Sequence, residues 1–203
     1  MFTIMATVMK ANCVKRVALI EDNASERRIL RALIEDMGYE VVAQGGDFDA
    51  AIKVCRETRP DIVVMDVGLP GRDGIDAASE INRVCPTAIL LVAGAEDEET
   101  VKRAVNSGVM GYLVKPVGGE LRPAMELAIS RFREFNELRK ENEDLKNTIE
   151  SRKIIEKAKG LLMEKEKISE AEAFSKIRKI SMDNRKTMRE VSEVIIALGV
   201  KAG

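Results

Sequence analysis

The chain has 203 residues, 45% of them apolar and 33% charged, with aromatics at only 3% and no tryptophan. It has no histidine, which excludes an imidazole base, a histidine metal site and a phosphohistidine carried by the chain itself, and restricts any metal to hard, oxygen-ligated ions such as Mg²⁺. The net charge of −1 hides an acidic front (residues 1–130, 15 Lys+Arg against 20 Asp+Glu) and a basic back (131–203, 18 against 14), the pattern of two domains with different partners, the second suited to nucleic acid.

The opening MFTIMATVMK is apolar but short, without a basic leader or a cleavage site, and reads as a loose tail over residues 1–14. No run reaches transmembrane length. That predicts no membrane association, and Cys13, Cys55 and Cys85, without CxxC spacing, argue against a disulfide framework and for a reducing cytoplasm. Val17–Ile20 is a β-run ending in Glu21-Asp22. A helix follows, with Ser25 as its expected N-cap, apolar residues at Ile29, Leu30, Leu33, Ile34 and Met37, and Gly38 as its stop. Glu40–Ala43 reads as a strand and Phe48–Thr58 as a helix. Ile62–Met65 is a strand buried on both faces, and Asp66 ends it before a turn cluster of Gly68, Pro70, Gly71, Asp73 and Gly74. Ile75–Val84 and Glu98–Ser107 read as helices, Ala88–Ala93 and Gly111–Val114 as strands, and Lys115-Pro116 closes the last. This alternation predicts an α/β fold, a doubly wound five-stranded parallel sheet of flavodoxin type. Glu21, Asp22, Asp66 and Lys115 then converge at its carboxyl edge, where such sheets hold ligands. Like carboxylates at close range need a cation between them, and a carboxylate beside a cation and a lysine can act as a nucleophile toward phosphorus.

From Leu121 to about Met163 the only proline is Pro123, in a tolerated first-turn position, and the only glycine is Gly160, which predicts one long helix. A heptad fits it, with Leu121, Ala128, Phe135, Asn142 and Ile149 at a and Ala124, Arg131, Leu138, Leu145 and Arg152 at d. Its best part is Phe135–Ile149, a seam for a two-stranded homodimer, and Asn142 would set the register. Beyond it Ser169/Glu172 and Thr187/Glu190 form two capping boxes. Their helices are expected to bury Ala173, Phe174, Ile177 and Ile180, and Met188, Val191, Val194, Ile195 and Leu198, with Gly199 as the stop. Together with Ile154–Met163 they make a small three-helix domain whose core also takes Leu161, Leu162, Met163 and Met182. The expected division is therefore a tail (1–14), an α/β domain (15–130), a helical coiled-coil connector (131–152) and a three-helix all-α domain (153–203).

Two family resemblances rest on these residues. EDN at 21–23, VVMDVGLPGRDG at 63–74 and GYLVKP at 111–116 resemble the CheY-like receiver domain of two-component response regulators, over about residues 15–130. The resemblance implies that Asp66 is the phosphoacceptor, fed by a sensor histidine kinase. It also implies that Glu21, Asp22, Asp66 and the Gly68 carbonyl hold Mg²⁺, that Lys115 contacts the phosphoryl group, that the bond before Pro116 is cis, and that Tyr112 is the aromatic switch. The family carries Ser or Thr at the end of the fourth strand, and LLVAGA places Val92 there, without a hydroxyl to bind the phosphoryl group. AKGLLM, ISEAEAF and MDNRKT, in that order over about 145–198, resemble the ANTAR domain, an RNA-binding antitermination module. Its polar candidates for an RNA stem-loop are Arg152, Lys157, Lys159, Arg185, Lys186 and Thr187. The resemblances imply a phosphorylation-responsive transcription antiterminator, a regulator rather than an enzyme. The residues alone leave open a helix-turn-helix DNA-binding output, or a docking adaptor without a nucleic-acid target.

Overall fold

Five strand segments pair in parallel in the computed structural model, which describes residues 15–95 and 97–200. They are β1 (Arg16–Ile20), β2 (Glu40–Gly45), β3 (Ile62–Asp66), β4 (Ala88–Ala93) and β5 (Gly111–Val114), in the order β2-β1-β3-β4-β5. The helices are α1 (Ala24–Asp36), α2 (Phe48–Thr58), α3 (Gly74–Val84), α4 (Glu98–Asn106), α5 (Leu121–Glu166), α6 (Glu170–Asn184) and α7 (Met188–Val200). The expected tail, with Cys13, lies outside the described residues. By internal contacts the chain divides into two units, Met1–Phe135 and Asn136–Gly203.

In the first unit, β3 and β4 are buried along their whole length, which is why their sequences are unbroken apolar runs rather than alternating ones. Successive side chains still point to opposite faces. Val17, Leu19, Ile62, Val64, Leu90 and Val92 pack with Leu30 and Ile34 of α1 and with Leu121, Met125, Ala128 and Ile129 of α5. Ala18, Ile20, Val63, Met65, Ile89 and Leu91 pack on the other face with α2, α3 and Ala104 of α4. Each fully buried leucine or isoleucine contributes about 1.5–3 kcal/mol. The strand order reverses between β1 and β3, and that switch point opens a crevice at the carboxyl edge.

Two helix ends are set by residues other than those expected. The N-cap of α1 is Asn23, not Ser25: the Asn23 side chain accepts from the amides of Ser25 and Glu26, satisfying two otherwise orphaned donors. Helix α7 passes through Gly199 to Val200 instead of stopping there.

Helix α5 is continuous over 46 residues. Its first turns belong to the core of the first unit, so Leu121 and Ala128 are core residues there and not part of a seam. Phe135, Leu138, Leu145 and Ile149 lie exposed on its middle, and Ala158 and Leu162 enter the core of the second unit. That core is small: Ala158, Leu162, Ala173, Ile177 and Val191, ringed by Ile168, Ile180, Met188, Ile195 and Ile196. Both capping boxes form, with reciprocal bonds at Ser169/Glu172 and Thr187/Glu190. Met163, Phe174, Met182, Val194 and Leu198, all expected inside, are exposed. A unit of this size buries one stripe per helix. Phe174 follows buried Ala173, and Val194 and Leu198 lie one helical step off the Val191–Ile195 stripe. No described helix is long and apolar enough to cross a membrane.

Candidate functional site

Four strand ends deliver the groups of the crevice. Glu21 and Asp22 follow β1, Asp66 ends β3, the end of β4 lies beside Asp66, and Lys115 follows β5 directly, just ahead of a cis Lys115-Pro116 bond. Carboxylate oxygens of Glu21, Asp22 and Asp66 all lie within 4.8 Å of one another, Glu21 and Asp66 buried and Asp22 exposed. Three convergent carboxylates form a hard-oxygen donor set of the kind that holds a divalent cation. Lys115 Nζ lies 2.7 Å from Asp66 Oδ1 and donates to Glu21 Oε2 at 2.8 Å. It also donates to Glu26 Oε2 at 2.5 Å. The other oxygen of Asp66, Oδ2, accepts from the Gly68 amide at 2.6 Å. The nucleophile candidate is thus fixed through both oxygens.

The loop after β3 permits this only because residue 74 is glycine. A Cβ there would stand 2.1 Å from the Asp66 carbonyl oxygen, so any side chain would push α3 off the strand end. Burial raises the Glu21 carboxyl above its ordinary range; the Lys115 hydrogen bond opposes this and Asp66 adds to it. Burial alone would lower Lys115, but its bonds to Asp66, Glu21 and Glu26 outweigh that and hold the ammonium above its ordinary range. The lysine therefore stays charged at all working pH values. Beside it a cavity of about 420 Å³ is lined by Glu26, Ile29, Leu30, Lys115, Pro116 and Val117.

Val92 does not stand where the sequence placed it. It is the register partner of Asp66, fully buried, and its side chain belongs to the α1/α5 core. Tyr112 packs against the opposite core, with Ile89 and Leu91, and its hydroxyl donates to the Ala95 carbonyl at 3.2 Å. Strand alternation puts Ala93, not Val92, on the Tyr112 face at the end of β4. Alanine also lacks a hydroxyl, so the departure from the expected pattern stands one residue further on. Glu26 and Ala93 were both missed in the sequence. Glu26 is found from the Asn23 cap, which puts it in the first turn of α1, and Ala93 from the period of two along Ile89-Leu91-Ala93.

The basic candidates divide. Arg152 and Lys157 are exposed on α5, and neither has an ion pair among the described residues. Arg185 and Lys186 are exposed in the turn between α6 and α7, with Arg185 in the left-handed region at φ 52°. Thr187 is committed to its cap: its hydroxyl accepts from the Glu190 amide and donates to the Glu190 carboxylate. Lys159 is placed differently from the other lysines. It is only 6% exposed and is held by Glu156 Oε1 at 2.7 Å and Glu170 Oε1 at 2.6 Å, so it is not a free phosphate contact.

Comparison with known proteins finds two domain families along the chain. The response regulator receiver domain profile matches residues 17–124, and the ANTAR domain profile matches residues 143–196. The chain is similar to the transcriptional regulatory protein PdtaR of Mycobacterium tuberculosis, 44% identical over 185 residues, 90% of this chain and 89% of that one. It is similar to the chemotaxis protein CheY of Thermotoga maritima, 36% identical over 103 residues, 50% of this chain and 86% of that one. Among solved structures, a LuxR-family two-component response regulator from Aurantimonas superposes with a TM-score of 0.55 at 36% identity, covering 58% of this chain and 86% of that one.

Proposed function

The chain belongs to the response regulator receiver family and carries an ANTAR domain behind the receiver, and from that membership we propose that it is a phosphorylation-controlled transcription antiterminator that binds RNA stem-loops. The observation that carries this reading is the pairing of a fixed, buried carboxylate at the receiver's carboxyl edge with an exposed basic turn in the ANTAR unit. Asp66 is the phosphoacceptor. Its carboxylate attacks the phosphorus carried by a sensor histidine kinase, and the O–P bond forms as the partner's P–N bond breaks. The Gly68 amide and Lys115 hold the nucleophile in one orientation, and the Lys115 ammonium neutralises charge on the arriving phosphoryl oxygens. Glu21, Asp22 and Asp66, with the Gly68 carbonyl, would hold Mg²⁺, which when bound supplies further positive charge to those oxygens. The same reading places the protein in the cytoplasm, where its kinase would present phosphohistidine.

A switch requires an interaction present only in the phosphorylated state. With Ala93 the receiver lacks the hydroxyl that would give one beside Tyr112. Ala93→Thr is therefore expected to add a charged hydrogen bond of about 1.5–3 kcal/mol, raising the phosphodonor-dependent gain in RNA affinity roughly ten- to hundredfold. Val92→Thr instead buries a hydroxyl in the α1/α5 core and costs about 1–3 kcal/mol of stability without a gain in response. RNA titration and sedimentation, with and without acetyl phosphate, compare the variants. A parent that already responds as strongly as Ala93→Thr would mean that the missing hydroxyl does not weaken the switch.

Arg185 and Lys186, with Arg152 and Lys157, supply the phosphate contacts. The exposed Phe135, Leu138, Leu145 and Ile149 stripe is the dimer seam, which would present two ANTAR units to paired loops and raise avidity. Replacing Arg185 and Lys186 by Gln is expected to weaken hairpin binding and to flatten its log–log salt dependence by about one unit per lost contact. Titration against RNA hairpins and against duplex DNA at several salt concentrations measures both. Preference for the duplex would favour a DNA-binding output, and an unchanged slope would remove these two residues from the interface.

A further inference from the structure

Phe174 is the sole aromatic residue of the chain beyond Phe135. The C-terminal unit, short of core, nevertheless leaves it 43% exposed on α6 while burying its neighbour Ala173. Single exposed apolar residues are ordinary, but this ring is not loosely placed. The Lys159 ammonium stands 6.0 Å from its centroid, and that ammonium is itself pinned between Glu156 and Glu170. The buried lysine of the AKG motif, already paired with two carboxylates, thus backs an aromatic ring from within the fold.

One turn further along α6 stands Arg178, and Met182 follows one turn after that, both exposed. Arg178 makes no ion pair among the described residues, unlike Arg189, which is neutralised by Glu193. Arg185 caps the same helix. An aromatic face, an unpaired guanidinium one turn away and a polarisable thioether beyond it form a stripe whose only carboxylate, Glu170 one turn before the ring, is tied to the Lys159 ammonium together with Glu156. A negatively charged ligand with flat, unpaired rings complements such a stripe; an acidic duplex with stacked bases offers no ring face to it.

We propose that Phe174, held by Lys159 and flanked by Arg178 and Met182, is a stacking platform for an unpaired base in the loop of an RNA hairpin. The proposal rests on the RNA-binding reading above and adds the mode of recognition: the stripe reads the loop, while Arg185 and Lys186 hold the backbone. Aromatic stacking tolerates any base, so the platform selects an unstacked nucleotide rather than a particular letter.

The test uses the full chain and a pool of RNA hairpins with one common stem and a randomised loop, carrying 2-aminopurine at loop positions, against the same stem closed into a blunt duplex. Phe174→Leu keeps apolar volume and removes the ring; Phe174→Tyr keeps the ring. Phe174→Leu is expected to bind hairpins roughly five- to hundredfold more weakly, with an unchanged salt slope and no stacking quench of the loop fluorophore. Phe174→Tyr should bind and quench as the parent does, and Arg178→Gln should lower the salt slope by about one. Circular dichroism confirms that each variant is folded. If Phe174→Leu binds and quenches like the parent, the platform is refuted while RNA binding stands. If the parent itself retains no hairpin above the blunt duplex, the RNA reading falls and the platform with it.

Discussion

Asp66→Asn is expected to abolish Mg²⁺-dependent, acid-labile phosphoryl incorporation from acetyl phosphate, down to background. The amide that replaces the carboxylate is a poor nucleophile, and no neighbour can substitute at the same place. Glu21 is buried and shared between Lys115 and the Asn23 amide, and Asp22 is exposed beyond the end of β1. The substitution keeps the volume and an acceptor for the Gly68 amide, so the fold should survive. Labelling followed by acid and alkali stability measurements reads the result directly. Undiminished acid-labile label on the variant would move the acceptor elsewhere in the cluster.

Lys115→Met should have the largest effect on stability. One ammonium serves Asp66 at 2.7 Å and Glu21 at 2.8 Å, and those two carboxylates are only 7% and 1% exposed. Breaking a buried pair by deleting one partner strands an uncompensated charge, and a loss of about 3 kcal/mol is expected in chelator-treated protein. A divalent cation among Glu21, Asp22 and Asp66 would replace the missing charge, so Mg²⁺ should restore much of that loss and stabilise the parent less. The pH dependence has a definite direction. Glu21 is already raised above its unfolded value, so its folded form binds a proton more tightly. The stability linked to it is present below the unfolded value and lost as pH rises through the raised one, and the variant should show a steeper loss over that window. Urea unfolding with and without Mg²⁺ gives the answer. Equal midpoints for parent and variant under both conditions would mean that the lysine does not compensate the cluster.

Much of the receiver was readable because its physical signals are local. Unbroken apolar runs mark strands buried on both faces, and Asp66 and Lys115 stand directly at two strand ends. The misses arise where the deciding contact is not local. Asn23 and Ser25 are both good caps, and only the geometry of the β1–α1 turn selects Asn23. Val92 and Ala93 are adjacent, and choosing between them requires knowing which face of β4 looks toward Tyr112. Lys159 has the sequence character of a solvated cation, but one of its partners, Glu170, comes from the next helix. Phe174, Met163 and Met182 were assigned to a core that a unit of this size does not have room to build.

The two cores on either face of the sheet each contain fourteen buried side chains, and the ANTAR core contains five. Resistance to local opening follows buried packing, so backbone amides on β3 are expected to exchange with solvent more slowly than those of α6 and α7. Asp66 thus ends a strand held between the two large cores, and the ANTAR helices rest on the small one. A small core tolerates local opening at little cost, so the ANTAR unit can adjust without disturbing the strand that holds Asp66.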